Sequence, residues 1–145
     1  MSITRQDADT ILTRRIGAYL EQANMTANGS VNPYLTDPLR WALYMLGVAS
    51  ASYTAVTDTD LQNVAAASVD ALLDLAELRS LEAVLTNFTN VTTRVGQVSE
   101  DRSDLGDRIR TAIEDKRKRV AAIYDGLLAH PLDGSASSGV RIVAL

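Results

Sequence analysis

Hydrophobic residues recur with helical spacing along most of this chain. Apolar positions fall three or four residues apart in residues 5–24, in residues 58–87, and again from residues 99–103 to about residue 129. Spacing of this kind places apolar side chains on one face of a helix. A shorter segment that follows Asp37 is apolar on almost every side. The pattern therefore predicts an all-α bundle of about four helices.

Helix starts can be placed from short polar signals. Thr4 is expected to cap the first helix, and Thr57 or Asp58 begins the third. Asp37 is expected to cap the second, with Pro38 in its first helical position. Because apolar residues surround the second helix almost completely, we expect it to be the most buried element.

Residues 86–99 interrupt the helical pattern. They are rich in β-branched and polar side chains and contain Gly96, which predicts an extended loop with a short strand near residues 91–95. A projecting segment of this length in a small helical domain is typical of a contact element. The sequence therefore predicts partner-binding residues here, namely Val91, Arg94, Val95 and Val98.

The C-terminal residues differ in character from the rest. We expect residues 1–130 to form the helical bundle domain and residues 131–145 to form a flexible linker and a C-terminal arm. The arm is apolar, strand-like and too short to fold alone, so it requires a strand to pair with or a groove to enter. Its predicted partner-binding residues are Val140, Arg141, Ile142, Val143 and Leu145.

Composition narrows the chemistry. The 145 residues include no Cys and one His, His130, which disfavours disulfides, zinc clusters, thiol mechanisms and His-based triads. The net charge of −4 is typical of neither a nucleic-acid binder nor an acidic tail. The N-terminus does not resemble a signal peptide, and the uncharged run 41–57 is best read as a core helix. We therefore expect no enzyme activity, no cofactor, no metal and no membrane partner.

Charged clusters leave alternatives open. Lys116-Arg117-Lys118-Arg119 is expected to form a solvated face or to pair with acids of the third helix, while DNA binding is the alternative. Asp70, Asp74 and Glu77 have the spacing of a solvent-facing stripe rather than of catalytic carboxylates. A small helical enzyme with an arginine-lined site is a further alternative, and its candidate residues are Arg40, Arg79 and Arg110.

One part of the chain has a familiar arrangement. Residues 73–82 (LDLAELRSLE) lead into Thr89-Asn90-Val91, then into residues 94–100 (RVGQVSE) and the polar start of the last helix. This pattern resembles the small helical head–tail adaptor, or connector, proteins of tailed bacteriophages. The resemblance covers about residues 58–128 and contains no catalytic motif.

The resemblance implies a structural role. Such adaptors assemble as a homo-oligomeric ring of about twelve subunits between the portal protein and a tail or stopper protein. The ring extends the channel for passing DNA without sequence-specific binding, and C-terminal tails reach onto the portal. The location implied is the virion, assembled in the host cytoplasm. Another virion or tail-completion structural protein is an alternative that the sequence does not separate from an adaptor.

Overall fold

Helices form every regular element of the described chain. The computed structural model describes residues 3–95 and 100–123. Its α-helices are α1 (Arg5–Gln22), α2 (Thr36–Met45), α3 (Asp58–Gln62), α4 (Val69–Val95) and α5 (Glu100–Ile123). Single 3-10 turns, Pro33–Leu35 and Ala66–Ser68, precede α2 and α4. The all-α prediction is confirmed, and α1, α2, α4 and α5 are the four long helices.

The core is organised around α4. Helices α1, α2 and α5 each pack against it. Leu72, Leu75 and Leu78 of α4 are almost fully buried at the spacing expected for one helix face. Burying a leucine side chain stabilises a fold by about 1.5–3 kcal/mol, so this face is a main source of stability. The buried partners from the other helices are Leu12, Leu20, Leu39, Leu43, Ile109 and Val120.

Two of the predicted caps are present. The Thr4 hydroxyl accepts a hydrogen bond from the Asp7 amide at 3.1 Å, and the Asp7 carboxylate accepts one from the Thr4 amide at 3.3 Å. Thr57 and Asp60 form the same reciprocal pair at the start of α3. Each pair satisfies two amides that would otherwise have no partner at a helix terminus.

The start of α2 differs from the prediction. Asp37 is not its cap, because the helix begins at Thr36 as a continuation of the Pro33–Leu35 turn. Asn32 supplies the cap of that turn by accepting a hydrogen bond from the Tyr34 amide at 3.0 Å. The Asn-Pro pair thus carries the same start signal as Asp37-Pro38, but at an earlier position.

The predicted third helix is interrupted. We expected one helix over residues 58–87, but α3 ends at Gln62 and α4 begins at Val69. Ala65 between them has extended backbone angles of φ −60° and ψ 144°. Leu61 and Val64 are both buried at this bend, so the chain keeps its apolar residues in the core while it changes direction.

The predicted extended loop over residues 86–99 is wrong for residues 86–95, which continue α4 to Val95. β-Branched residues lower helix propensity by only a few tenths of a kcal/mol each, and each added helical residue gains a backbone hydrogen bond. The Asn87 side-chain amide also donates a hydrogen bond to the Ala23 carbonyl, which joins α4 to the end of α1. Residues 96–99 lie outside the described part of the chain.

None of the helices in the described segments combines the length and the apolar character that crossing a membrane requires.

Candidate interaction surface

The structure places only some of the predicted partner-binding residues. Val91, Arg94 and Val95 lie in the last turns of α4, where the backbone is helical rather than extended. The remaining predicted contacts lie outside the described residues: Val98, Val140, Arg141, Ile142, Val143 and Leu145. The linker and arm predicted for residues 131–145 lie outside them as a whole.

Two of the three candidate arginines line one groove. Arg40 of α2 and Arg79 of α4 both border a cavity of about 460 Å³. Arg110 does not belong to it: this residue lies on an exposed part of α5 and pairs with Asp107 at 3.1 Å. The sequence named all three arginines as candidates and gave no means of separating Arg40 and Arg79 from Arg110, because the proximity of the first two depends on how α2 packs against α4.

Helix α2 forms one wall of the groove. Its Leu39, Ala42 and Leu43 are buried, which leaves Arg40, Trp41 and Tyr44 on the opposite side of the helix. Tyr44 is 74% exposed. Five of the ten residues of α2 are nevertheless buried, a larger share than in any other helix over the residues whose burial is described, as the sequence predicts.

The segment after α2 forms the second wall. Gly47 ends the helix with a φ of +76°, a left-handed conformation that glycine adopts without a steric penalty. The chain then returns along the helix, and Tyr53 places its ring 5.8 Å from the Arg40 guanidinium carbon. Tyr53 is 85% exposed.

Arg79 completes the groove from α4. Its guanidinium carbon lies 5.2 Å from the centre of the Trp41 ring, and its Nη1 lies 3.2 Å from Glu82 Oε1. A cation–π contact at an exposed site contributes about 0.5–1 kcal/mol. This attraction helps to orient the Trp41 indole beneath Arg79. We call Arg40, Trp41, Tyr44, Tyr53 and Arg79 the arginine–tyrosine surface.

Arg40 is incompletely paired. Its Nη2 lies 3.8 Å from the Asp37 carboxylate, which is long for a hydrogen-bonded ion pair, and the Asp37 side chain is 83% exposed. The Arg40 Nε is buried and has no hydrogen-bond partner among the described residues. A buried donor without an acceptor is costly, which makes this nitrogen a position where an incoming acceptor is favoured.

A second groove adjoins the first. It has a volume of about 540 Å³ and shares Asp37 and Arg79 with its neighbour. Tyr34 and Pro38 contribute apolar area on one side, and Glu82 and Thr86 of α4 contribute polar groups on the other. The arginine–tyrosine surface therefore continues past Arg79 along α4.

The acidic residues of α4 have a structural role. Lys116 of α5 pairs with Asp74 at 2.9 Å and with Glu77 at 3.2 Å, and its side chain is only 12% exposed. Arg15 of α1 reaches the same two carboxylates at 3.0 and 3.1 Å. Arg117 pairs with Glu82 at 2.6 Å. These ion pairs join α1, α4 and α5.

This network confirms the prediction that the basic cluster pairs with acids of the preceding helix, as far as Lys116 and Arg117 are concerned. Lys118 and Arg119 are exposed. Asp74 and Glu77 do not form the solvent-facing stripe that the sequence suggested, since both lie half-buried between cations. Within residues 3–95 and 100–123, no three metal-ligating side chains converge on one point.

Arg5, a buried arginine near the N-terminus, is not among the residues that the sequence singled out. Arg5 is 4% exposed. Its guanidinium donates to Asp9 Oδ1 at 2.8 Å, to the Val56 carbonyl at 3.1 Å, and to the Asn32 carbonyl and Thr36 Oγ1 at 2.8 and 3.0 Å. We call these residues the Arg5 cluster. The available signal was the helical i,i+4 spacing of Arg5 and Asp9 beside buried apolar positions.

Asp60 fixes the nearby segment that precedes α3. The Thr57 amide donates to its carboxylate at 3.0 Å, and the Ala51 amide donates to the other oxygen at 3.1 Å. The hydrogen bond from the Thr57 amide is the main cause that lowers the pKa of Asp60, and it outweighs the opposing effect of burial. The carboxylate is thus held in its charged form.

Comparison with known proteins assigns no relative. No family model matches the chain, no curated protein matches it, and no solved structure matches it.

Proposed function

We propose that this protein is a non-enzymatic structural adaptor of a tailed phage, a subunit of a ring between the portal protein and the tail that extends the DNA channel. The observation that carries the proposal is the arginine–tyrosine surface. Trp, Tyr and Arg are the residues enriched at the energetic centres of protein–protein interfaces. The sequence resemblance to phage head–tail adaptors over residues 58–128 is the reason why we propose this particular assembly.

In this proposal the helical bundle forms the wall of the ring. The end of α4, with Val91, Arg94 and Val95, contacts a neighbouring subunit together with Val98 of the following segment. The arm over residues 140–145 docks on the portal. The arginine–tyrosine surface adds a third contact. Contacts that are weak singly become strong when repeated around a closed ring, since each later contact forms at high effective concentration.

A small enzyme with an arginine-lined site is the second candidate, because Arg40 and Arg79 do line one groove. An enzyme would use these cations to bind an anionic substrate. Both arginines already lie against an aromatic ring, Tyr53 and Trp41 respectively. That arrangement favours a contact surface over a substrate clamp, since the exposed ring of Tyr53 is a group that a protein partner covers.

A pull-down on portal protein from the same source tests the adaptor proposal. Three chains are compared: the full chain, a chain that ends at Asp133, and the full chain with Tyr44→Ser and Tyr53→Ser. Arg110→Ala is the matched control, because Arg110 is an exposed residue outside the groove. We expect the full chain and the control to be retained and the truncated chain to be lost.

Other outcomes are equally informative. Retention of the truncated chain together with loss of the double tyrosine variant transfers the portal contact from the arm to the arginine–tyrosine surface and keeps the adaptor function. Failure of the full chain to bind portal contradicts the adaptor proposal. Turnover of an anionic substrate that disappears in Arg40→Ala and Arg79→Ala would establish the enzyme instead.

A further inference from the structure

We propose that the groove bordered by Arg40, Tyr44, Tyr53 and Arg79 binds an acidic peptide segment of a partner protein, with one carboxylate accepting hydrogen bonds from Arg40. This inference rests on the proposed function in one respect, since both make the surface a protein contact. The preference for a carboxylate has its own basis, namely the charges and the unpaired donor of the groove.

Arg40 is incompletely paired within the groove. Its Nε has no acceptor among the described residues, and its only ion pair, with Asp37, is 3.8 Å long. An arginine guanidinium presents donors in a planar fork that matches the two oxygens of a carboxylate. A carboxylate that enters the groove would satisfy Nε and a terminal nitrogen together, which Asp37 does not do at its observed distance.

The groove also has the size and the lining of a ligand site. Its volume of about 460 Å³ lies within the range of roughly 300–1,000 Å³ that is typical of ligand sites. Val48 and Ala49 contribute apolar surface between the two exposed tyrosines. Tyrosine rings contribute large contact areas at a small entropy cost, because they have few rotatable bonds. The groove therefore suits apolar side chains on either side of a carboxylate.

The charges of the groove favour an acidic peptide over a nucleic acid as its ligand. Among the described residues, two arginines and one aspartate line the groove, which leaves one positive charge in excess within it, although Arg79 also pairs with Glu82 at its edge. Glu82 and Asp37 border the adjoining groove. A nucleic-acid strand carries a charge on every nucleotide and is held by several cations at once. A single carboxylate matches the local excess, whereas a chain of phosphates would meet Asp37 and Glu82.

Trp41 provides a direct reporter for the test. It is the only tryptophan of the chain, and it borders the groove under Arg79. A short acetylated and amidated peptide with one glutamate flanked by leucines is titrated into the full-length protein while tryptophan fluorescence is followed. A peptide with glutamine in place of glutamate is the matched probe, since it keeps shape and removes charge.

We expect a saturable fluorescence change with the glutamate peptide and at least ~10-fold weaker binding of the glutamine peptide, because charge-assisted hydrogen bonds are about twice as strong as neutral ones. Arg40→Gln is expected to weaken binding of the glutamate peptide by a similar factor. Arg40→Lys is also expected to weaken this binding, since lysine lacks the planar fork of donors. Arg110→Gln, which alters an exposed arginine outside the groove, is expected to bind as the unaltered chain does.

Three results overturn the inference. They are equal affinity for both peptides, no saturable change at millimolar peptide, and tighter binding of a single-stranded oligonucleotide than of the glutamate peptide. Far-ultraviolet circular dichroism of each variant shows whether it is folded. The outcome is separable from that of the adaptor proposal, because portal retention is measured on a different molecule and does not require the peptide to bind.

Discussion

Two arginine-centred regions of this protein differ in how completely their donors are paired. Arg5 is buried and donates hydrogen bonds to four acceptors, of which Val56, Asn32 and Thr36 lie in distant parts of the chain. Arg40 is partly exposed, has one long ion pair and has a buried Nε without a partner among the described residues. Arginine thus holds segments of the folded chain together at position 5, whereas at position 40 it has a donor available to a ligand.

The difference indicates which charged residues to associate with function. A guanidinium whose hydrogen bonds are all internal has no capacity left for a ligand, and its loss is felt as a loss of stability. A guanidinium with an unpaired donor beside exposed aromatic rings costs little stability to remove, and its loss is felt in binding. Charge alone does not separate these cases, because both residues are arginines on helices.

The largest expected effect is at Arg5. Arg5→Met is expected to lower the free energy of unfolding by about 3–5 kcal/mol, because it leaves the buried Asp9 carboxylate without its cation. Urea denaturation followed by circular dichroism measures the change. Asp9→Leu added to Arg5→Met is expected to cost less than the sum of the two single changes. Additive costs would show that the pair is not coupled and would weaken the contrast with Arg40.

The next effect is at the ion pairs between α4 and α5. Lys116→Met is expected to cost about 1–3 kcal/mol, because its ion pairs with Asp74 and Glu77 are largely shielded from water. Arg15→Met, whose side chain is more exposed, is expected to cost less than about 1 kcal/mol. Thermal melts of both variants in low and high salt check this order, and the Arg15 pairs are expected to be more sensitive to salt.

A smaller effect concerns pH. The folded-state pKa of Asp60 is lowered, so its charged form contributes stability that is present above the unfolded pKa, near pH 4, and is lost as the pH falls through the folded pKa. Asp60→Asn is therefore expected to be less stable at pH 7, with a difference that narrows below about pH 4. A difference that stays constant down to pH 2 in thermal melts would contradict this assignment.

The smallest expected change in stability is at the arginine–tyrosine surface. Arg40→Gln and Tyr44→Ser are expected to shift the free energy of unfolding by no more than about 0.5 kcal/mol, because Tyr44 is exposed and the buried Nε of Arg40 has no hydrogen bond to lose among the described residues. The same variants are expected to lose binding of the acidic peptide or of the partner. A loss of several kcal/mol at Arg40 would place it in the same structural class as Arg5 and remove the basis of the comparison.

Local signals in the sequence were read correctly where the contact itself is local. Thr4 and Thr57 cap helices through atoms three residues away, so a short stretch of sequence contains the whole interaction. The helical pattern also predicted the four long helices. The break between α3 and α4 has no glycine or proline to mark it, and it depends on how Val64 packs in the finished core.

Long-range contacts account for the other errors. Residues 86–95 have the composition of an extended segment, yet the Asn87 side chain reaches the Ala23 carbonyl, 64 residues away at the C-cap of α1. Tertiary contacts of this kind override weak propensities. The pairing of Arg40 with Tyr53 depends on the return of the chain after Gly47. Residue type suggested which arginines could act together, but only the packing of α2 against α4 separates Arg79 from Arg110.

The position of α4 at the centre of the bundle has a consequence for synthesis. The chain leaves the ribosome from its N-terminus, so α1 and α2 emerge before the helix that both pack against. Until residues 69–95 follow, α1 and α2 lack the helix against which both pack. A nascent chain that stalls before Val69 therefore exposes apolar helix faces, and we expect such fragments to require chaperones and to aggregate in their absence.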